Sequence, residues 1–387
     1  MLTMPHRSSD LLDLLSRRPA LEAFAIESGP AVFEAHDGAR TLGFASVAVS
    51  RASIAIRFEA PEGFEVPKAG YGESNGKVLS RDGAWTAPSV NDAGRASDGA
   101  RLFGAMELVV GQSAGEKAAA TRLCIAGADW SGSGALGGKR AVARALSRET
   151  VSHHDRRMSI VIEGGVDLAD AENLGRACGF VAGIDVEILR FEHHAADGRP
   201  LEVRHLRGFR RVGRGPHSPF TGLPDEHRMR AWIAIVESFP ALLSAGVPID
   251  MMIDQISAHN QVAQIHVSAP LLLMATLTAA YHRTHGHGVD AGCVSRAPEL
   301  AKLNRDLTLG LNEADIARFE GLRVELLETG FFHKPGYETG RPQRDIKFIR
   351  DISHAVVLRL CGYAGPFYGA EKFAPRELAA LDAKPKG

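Results

Sequence analysis

Cysteine is scarce in this chain, and the few cysteines stand far apart. Cys124, Cys178, Cys293 and Cys361 form no CxxC pair. Small disulfide scaffolds depend on dense, paired cysteines, whereas isolated cysteines in a chain of 387 residues are typical of a reduced protein. We therefore expect reduced and mostly buried thiols.

An excess of one charge and a long apolar run are also missing. Lys and Arg together number 45 against 46 Asp and Glu, and the net charge of −1 excludes a uniformly basic nucleic-acid binder. The longest apolar run, Ala269–Ala280, is too short to span a bilayer, and the first residues lack the apolar core of a secretory signal. We expect a soluble cytoplasmic protein with no membrane partner.

The first half of the chain alternates polar and apolar residues with the period of two that is typical of half-buried strands. These runs are Phe44–Ser50, Ile54–Phe58, Leu102–Val110, Arg122–Ile125 and Ser159–Ile162. Gly63–Gly99 is rich in Gly, Pro, Ser and Asn, which predicts mostly loop. Ser9–Arg18 and Gly138–Thr150 have helical patterns. Several short strands separated by turns predict a sandwich-like β-rich domain.

A mixed segment follows the predicted strands. Asp170–Val181 has a helical apolar face, while Asp185–Phe191 and Leu201–Leu206 have strand patterns. An Asp-Gly pair lies between these two strands, which predicts a hairpin.

From Leu223 onward the apolar period changes from two to 3.6 residues. The predicted helices are one that opens at Pro224-Asp225-Glu226, then Ile249–Ser257, Val262–Thr284, Glu299–Leu307, Glu313–Leu327 and Asp345–Cys361. We therefore predict an α+β fold class, with a β-rich domain over 1–220, an all-α helical bundle over 223–368 and a flexible tail over 369–387.

Two patterns suggest a phosphate loop and a metal site, but neither pattern has the residues that such a site requires. Gly132–Arg140 looks like a phosphate loop, but Ser133 stands at a required glycine and Arg140 stands where Mg²⁺ needs a hydroxyl. A turn before a helix is the preferred interpretation. The histidines of the HRTHGH string, at positions 282, 285 and 287, have no Cys or carboxylate at a supporting spacing. We expect no metal and no cofactor.

Basic residues concentrate between Val203 and Pro224 in a stretch without acids. The arginines are Arg204, Arg207, Arg210, Arg211 and Arg214, and the aromatic Phe209 and Phe220 lie among them. Arginine forks match phosphate geometry, and exposed aromatic rings can stack on bases. This pattern predicts a local nucleic-acid-binding surface; a solvated face whose arginines pair with acids elsewhere in the fold is the alternative.

The last two predicted helices have the most specific sequence. The first leads to Phe331-Phe332-His333 and a short loop, and the second ends with Gly362-Tyr363, Gly365 and Tyr368 in a GYxGxxY pattern. This arrangement over 223–368 resembles HEPN-domain proteins, and especially the bacterial ApeA-like antiphage group, which joins an N-terminal β-rich domain to a C-terminal HEPN bundle. The resemblance implies a homodimer that acts on RNA in antiviral defence.

The resemblance also implies a metal-independent ribonuclease site in which an Arg polarises the phosphate and a His transfers the proton. The family places its Arg-Asn pair at Glu328-Thr329 when His333 is the histidine, so this chain departs from the pattern. Arg350 and His354 supply a second Arg/His pair, four residues apart on one helix face. We therefore predict His333, Arg350 and His354 as the catalytic residues of any cleavage activity.

Two functions stay open at the level of the sequence. One is an RNA-directed HEPN-like protein, with or without ribonuclease activity. The other is a non-enzymatic β-sandwich protein that binds a ligand or partner and uses its helical bundle to oligomerise.

Overall fold

The computed structural model describes residues 8–19, 23–50, 53–69, 73–111, 115–146, 156–184, 186–207, 218–261, 297–329, 341–369, 371 and 374–378. The helices in these residues are α1 (Ser8–Arg17), α2 (Leu168–Ala182), α3 (Asp225–Ser244), α4 (Ile249–Gln261), α5 (Ala297–Leu307), α6 (Glu313–Thr329) and α7 (Arg341–Leu360). The predicted helix Val262–Thr284 lies outside them.

The strands occupy most of the first half of the chain. They are β1 (Phe24–Ala35), β2 (Arg40–Ser50), β3 (Ser53–Glu59), β4 (Gly76–Ser80), β5 (Trp85–Arg95), β6 (Arg101–Ala105), β7 (Glu107–Val110), β8 (Ala120–Ala126), β9 (Gly132–Leu136), β10 (Lys139–Ala145), β11 (Arg157–Glu163), β12 (Glu187–His194), β13 (Pro200–Leu206), β14 (Gly365–Gly369) and β15 (Ala374–Leu378). β15 belongs to the stretch that was predicted to be a flexible tail.

The chain divides into two compact units, each assembled from separate stretches of sequence. The first unit contains Met1–Asp129, Lys139–Ala171 and Glu187–Arg211. The second contains Trp130–Gly138, Glu172–Val186 and Val212–Gly387. Residues that are distant in the chain therefore share a core in each unit.

A closed antiparallel barrel of six strands begins the first unit. Its strands follow the order β4-β1-β2-β3-β6-β5, and β4 also pairs with β5, which closes the ring. Phe33, Phe58 and Phe103 are almost fully buried inside it, and the Phe33 and Phe103 rings stack with centroids 5.3 Å apart. The barrel interior is thus a packed aromatic core, which leaves no free strand edge within the ring.

The remaining strands of the first unit extend this sheet in the order β5-β7-β13-β12-β8-β11-β10. β12 and β13 form the hairpin that the Asp-Gly turn predicted, so that prediction is confirmed. Helix α1 packs on this part of the sheet, where Leu12 and Leu15 contact Ala120, Val142 and Val161 in one apolar cluster. Burial of the apolar face of α1 therefore holds the helix on the sheet.

Strand β9 and helix α3 pack closely in the second unit. A Cβ at Gly132 would lie 3.0 Å from the Cβ of Met229, so glycine allows the helix to approach the strand. Asp225 Oδ2 accepts the Ser131 N–H at 2.9 Å, and Glu237 Oε1 accepts the Gly137 N–H at 2.7 Å. The glycine-rich segment is therefore a strand and its turn, packed against a helix.

Helix α7 is central to the second unit. It packs against α3, α4, α5 and strand β14. Ile352, Val356 and Val357 are fully buried on it. This explains why α7 carries a long apolar pattern in sequence, although it also carries several charged residues.

The predicted fold class, a sandwich-like domain followed by an all-α bundle, is wrong. The N-terminal part contains a closed barrel because Gly63–Gly99, predicted to be mostly loop, contains β4 and β5. Strand β5 includes Pro88, Asn91 and Gly94, residues that are typical of turns, and its pairing with neighbouring strands overrides their local preference.

The helical part is likewise not an all-α bundle. The hairpin of β14 and β15 follows α7, and β9 also belongs to the second unit. Lys139–Ala145, within a segment with a predicted helical pattern, is strand β10, because pairing with β11 places its residues in a sheet. Tertiary pairing again decides between two conformations that the local pattern allows.

Candidate oxyanion site on helix α7

Helix α7 buries an unusual number of polar side chains for one helix. Asp345, Arg350, Asp351, Ser353, His354 and Arg359 are each at most 4% exposed. Buried charges are costly unless they are paired or hydrogen-bonded, so each of these side chains needs a partner in the fold or a bound ligand.

Arg350 lacks such a partner at two of its nitrogens. The residue is 4% exposed, and neither Nε nor Nη2 has a hydrogen-bond acceptor among the residues that the structure describes. Burial lowers the pKa of the Arg350 guanidinium, and the nearby Asp351 carboxylate opposes this shift. Nε–H and Nη2–H point from the same edge of a guanidinium, which is the edge that binds two oxygens of one carboxylate or phosphate.

His354 lies one helical turn beyond Arg350 on the same helix. It is 2% exposed, and its ring meets the Phe180 ring of α2 edge to face, with centroids 5.3 Å apart. This aromatic contact holds the imidazole in one orientation. The structure therefore brings Arg350 and His354 together on one face of α7, as their spacing predicted.

Arg359 offers an instructive contrast on the same helix. It is 2% exposed, but its Nη2 donates to the Thr308 carbonyl at 3.1 Å and its Nη1 to the Tyr363 carbonyl at 3.5 Å. Only Nε of Arg359 is without an acceptor in the described part of the chain. Arg359 therefore connects backbone segments, whereas the bidentate edge of Arg350 has no acceptor among the residues that the structure describes.

A separate ion-pair cluster joins α7 to its neighbours. Arg318 of α6 donates to Asp345 Oδ1 through Nε at 3.0 Å and Nη2 at 2.6 Å, and it also pairs with Glu371. Its guanidinium lies over the Phe348 ring, 4.4 Å from the centroid. These contacts satisfy Arg318, so it is structural rather than available to a ligand.

The other predicted site residues are placed differently. His333, Arg210, Arg211 and Arg214 lie outside the described residues. Arg204 lies on β13 and pairs with Glu202 Oε1 at 2.6 Å and with Glu107 Oε1 at 3.1 Å. Its charge is therefore compensated by acids from other positions of the fold, as the alternative interpretation of the arginine stretch supposed. Arg207 is exposed at the end of β13.

A second buried network, in the first unit, was not predicted from the sequence. Glu192 on β12 is 2% exposed; its Oε1 accepts from Arg122 Nη1 at 3.2 Å and lies 2.6 Å from Arg190 Nε. Its Oε2 lies 2.7 Å from His194 Nε2, and His194 Nδ1 lies 3.2 Å from the Gly198 carbonyl. A signal was present only as alternate charged residues within an apolar strand pattern.

Arg122 connects this network to helix α1. Its Nε donates to Ser159 Oγ at 3.0 Å, and its Nη2 donates to the carbonyls of Arg18 and Pro19. These carbonyls end the α1 segment, where a cation is favourable to the helix dipole. The network therefore holds the C-terminal end of α1 on strands β8, β11 and β12.

Two titratable groups in this region have strongly shifted pKa values. Burial raises the pKa of Glu192, but the bond to His194 and the nearby Arg122 and Arg190 charges outweigh burial and lower it to about 2. Burial and the Arg190 charge lower the pKa of His205 to about 4. The His205 ring contacts the Phe24 ring at a tilt of 49°, with ring centroids 4.4 Å apart. Because both pKa values are depressed in the folded state, the fold loses stability as the pH falls through either pKa range.

No family model, no curated protein and no solved structure matches this chain. Among the described helices, none is both long enough and apolar enough to cross a membrane.

Proposed function

We propose that this protein is an RNA-directed, HEPN-like protein that contacts a phosphate of RNA through the Arg350–His354 face of α7. One observation carries the proposal: the bidentate edge of a buried guanidinium has no acceptor among the described residues, and it lies one turn from a buried imidazole. A phosphate group would satisfy that edge and offset the cost of burying Arg350.

The two side chains suit phosphoryl chemistry that needs no metal. Arg350 would stabilise the charge that develops on the phosphate, and His354 would transfer a proton, because an imidazole titrates near neutral pH. His333 is the further proton-transfer candidate from the sequence. A homodimer in the cytoplasm and a role in antiviral defence complete the proposal, on the strength of the family resemblance.

The ribonuclease part is tested by incubating the purified chain with total RNA and with tRNA in EDTA. We expect cleavage by the wild type, and a loss of about 10²-fold or more in Arg350→Lys, His354→Asn and His333→Ala. Arg359→Lys is the matched control, since it is an equally buried arginine of the same helix whose Nη donors bind carbonyls. Melting temperatures of all variants separate lost activity from lost folding.

The absence of cleavage by the wild type, or equal losses in Arg350→Lys and Arg359→Lys, would contradict the enzymatic part. Filter retention of RNA then measures the remaining binding role. If the protein also fails to retain RNA on the filter, the alternative of a non-enzymatic protein that binds another partner is favoured.

RNA binding is also proposed for the part of the arginine stretch that follows Arg204. Arg204 is paired with two acids, so Arg207, Arg210, Arg211 and Arg214 are the remaining candidates. We expect Arg207→Ala combined with Arg210→Ala and Arg211→Ala to weaken retention and to reduce its salt dependence by roughly one unit of slope per lost phosphate contact. Arg204→Ala, the control, should leave the slope unchanged.

A further inference from the structure

We infer that the outer face of the six-stranded barrel binds a second copy of this chain through an apolar patch on strands β4, β1 and β2. The barrel patch consists of Pro30, Val32, Leu42, Phe44 and Leu79. The inference rests on the proposed function for the homodimer and assigns its contact surface, whereas the residues that support it belong to the first unit and have no part in RNA binding.

The two large apolar side chains of β2 point away from the barrel core. Leu42 is 59% exposed and Phe44 is 53% exposed. Residues two apart in a strand share one face, and the intervening alternate positions, such as Ala45 and Val47, belong to the buried core instead. Leu42 and Phe44 therefore lie side by side on the outer surface.

Neighbouring strands extend this apolar surface. Val32 of β1 lies opposite Leu42, and Leu79 of β4 lies opposite Val32, so the three form one row across the strands. Pro30 lies opposite Phe44 in the adjacent row. Directly opposed residues of antiparallel strands have neighbouring side chains on the same face, so the five residues make one contiguous patch. Contiguous exposed apolar surface of this kind marks interaction sites.

Strand addition cannot cover the patch, because its strands have no free edge. β1 pairs with β2 and β4, and β2 pairs with β1 and β3, so both edges of each strand are already used. A partner must therefore pack onto the face of these strands, as one sheet packs onto another.

The end of the patch beside Leu42 carries an excess of positive charge. Arg40, two residues before Leu42, pairs through Nε with Glu34 Oε2 at 2.7 Å. Lys77 Nζ pairs with Glu34 Oε1 at 2.8 Å. Two cations therefore share one carboxylate at this end, and the Arg40 side chain is 68% exposed.

The end beside Phe44 carries an excess of negative charge. Glu59 of β3 lies opposite Phe44. Arg57 pairs with both Glu59 and Asp98, so two carboxylates share one guanidinium. Both carboxylate side chains are about half exposed, at 51% and 52%.

A second copy of the chain has the complementary arrangement of charge. In a two-fold dimer the same patch serves both subunits. A two-fold axis that runs across the strands between Leu42 and Phe44 places Leu42 of each copy against Phe44 of the other. The same axis sets the positive Arg40 end of each copy against the negative Glu59 end of the other, so opposite charges meet at both ends of the interface.

The test measures the oligomeric state of the full chain by sedimentation velocity over a range of concentrations at fixed salt. We expect a monomer–dimer equilibrium that shifts with dilution, because the patch is small compared with an obligate interface. Leu42→Thr combined with Phe44→Thr should raise the Kd of the dimer about tenfold or more, since threonine removes the apolar contact but suits a strand. Met251→Gln is the control, because Met251 of α4 is a comparably exposed apolar side chain outside the patch.

Charge reversal tests the two-fold arrangement separately. Arg40→Glu and Glu59→Arg should each weaken self-association, because each brings like charges together at both ends of the dimer. An equimolar mixture of the two variants should associate more tightly than either alone, because both ends of the mixed dimer then join opposite charges. Circular dichroism and melting temperatures establish that each variant folds.

Three results would overturn the inference. They are a wild type that stays monomeric at every concentration, a dimer that the two threonine substitutions weaken no more than Met251→Gln does, and a mixture of the charge variants that associates no more tightly than its components. A monomeric wild type would leave the patch to a different partner.

The two proposals fail in different ways. RNA retention or cleavage by a monomeric wild type would refute the barrel dimer and leave the RNA-directed function standing. A dimer that depends on Leu42 and Phe44 but neither retains nor cleaves RNA would support the barrel dimer and refute the RNA-directed function.

Discussion

Glu192→Gln should destabilise the first unit more than any comparable surface change. The substitution keeps the size of the side chain but removes the carboxylate that faces Arg122, Arg190 and His194 in a buried position. The pKa of Glu192 falls from an ordinary value of 4.5 to about 2 in the folded protein. At about 1.4 kcal/mol per pKa unit, ionised Glu192 contributes roughly 3 kcal/mol to the free energy of unfolding at neutral pH.

Breaking a buried ion pair typically costs about 3–5 kcal/mol, because the remaining charges stay buried without compensation. We therefore expect Glu192→Gln to lower the free energy of unfolding at pH 7 by about 3–5 kcal/mol, measured by urea denaturation followed by circular dichroism. Glu116→Gln is the matched control, because Glu116 pairs with Arg199 while both side chains are half exposed. An exposed pair of this kind contributes only about 0–1 kcal/mol.

The pH dependence gives an independent check on the same residue. Because the folded pKa is depressed, the contribution of Glu192 is complete above about pH 4.5 and is lost as the pH falls toward 2. The difference in stability between the wild type and Glu192→Gln should therefore shrink as the pH is lowered through this range. A loss at pH 7 no larger than that of Glu116→Gln, or a difference that is constant down to pH 2, would refute the reasoning.

Three further predictions concern other parts of the fold. The folded pKa of His205 is about 4, so protonation of this imidazole should cost the wild type roughly 3 kcal/mol of stability as the pH falls from 6.5 toward 4. His205→Phe should abolish this pH-dependent loss in unfolding curves measured across the range. The same pH dependence in the variant as in the wild type would show that His205 is not responsible. Thr308→Gly should raise the stability by about 1 kcal/mol in thermal unfolding, because Thr308 directly follows α5 with a positive φ of 50°, a conformation that suits glycine. Unchanged stability would show that Thr308 carries no strain. Phe103→Ala should cost about 3–5 kcal/mol in urea unfolding because it empties the stacked core of the barrel, and a loss below about 1 kcal/mol would contradict that packing.

The sequence was sufficient to predict a helix or strand where the local pattern and the tertiary environment favour the same conformation. The alternation in Ile54–Phe58 corresponds to β3, whose side chains face the barrel core and the solvent in turn. The acidic first turn after Pro224 corresponds to the start of α3, which begins at Asp225. In both places local sequence signals predicted the element, and burial of one face of each element agrees with those signals.

The sequence failed where pairing overrides local preference. Residues of the turn-forming types in β5 become a strand because β4, β6 and β7 supply backbone partners. The fold class depended on this, since the pairing of β4 with β5 turns an open sheet into a closed barrel. The alternation of polar and apolar residues does not predict which two strands will pair.

Some features of the candidate site were likewise predictable from the sequence, and others were not. The spacing of Arg350 and His354 determined that they share a helix face, because α-helical geometry relates residues four apart. Only the tertiary structure decided that both are buried. It also decided that the Nε and Nη2 donors of Arg350 have no acceptor in the described part of the chain, while Arg359 binds two carbonyls. Only the fold, likewise, paired Arg204 with Glu107 across two strands and enclosed Glu192 among cations. Charge and spacing are local properties of a sequence, whereas desolvation and partners depend on residues that folding brings from elsewhere in the chain.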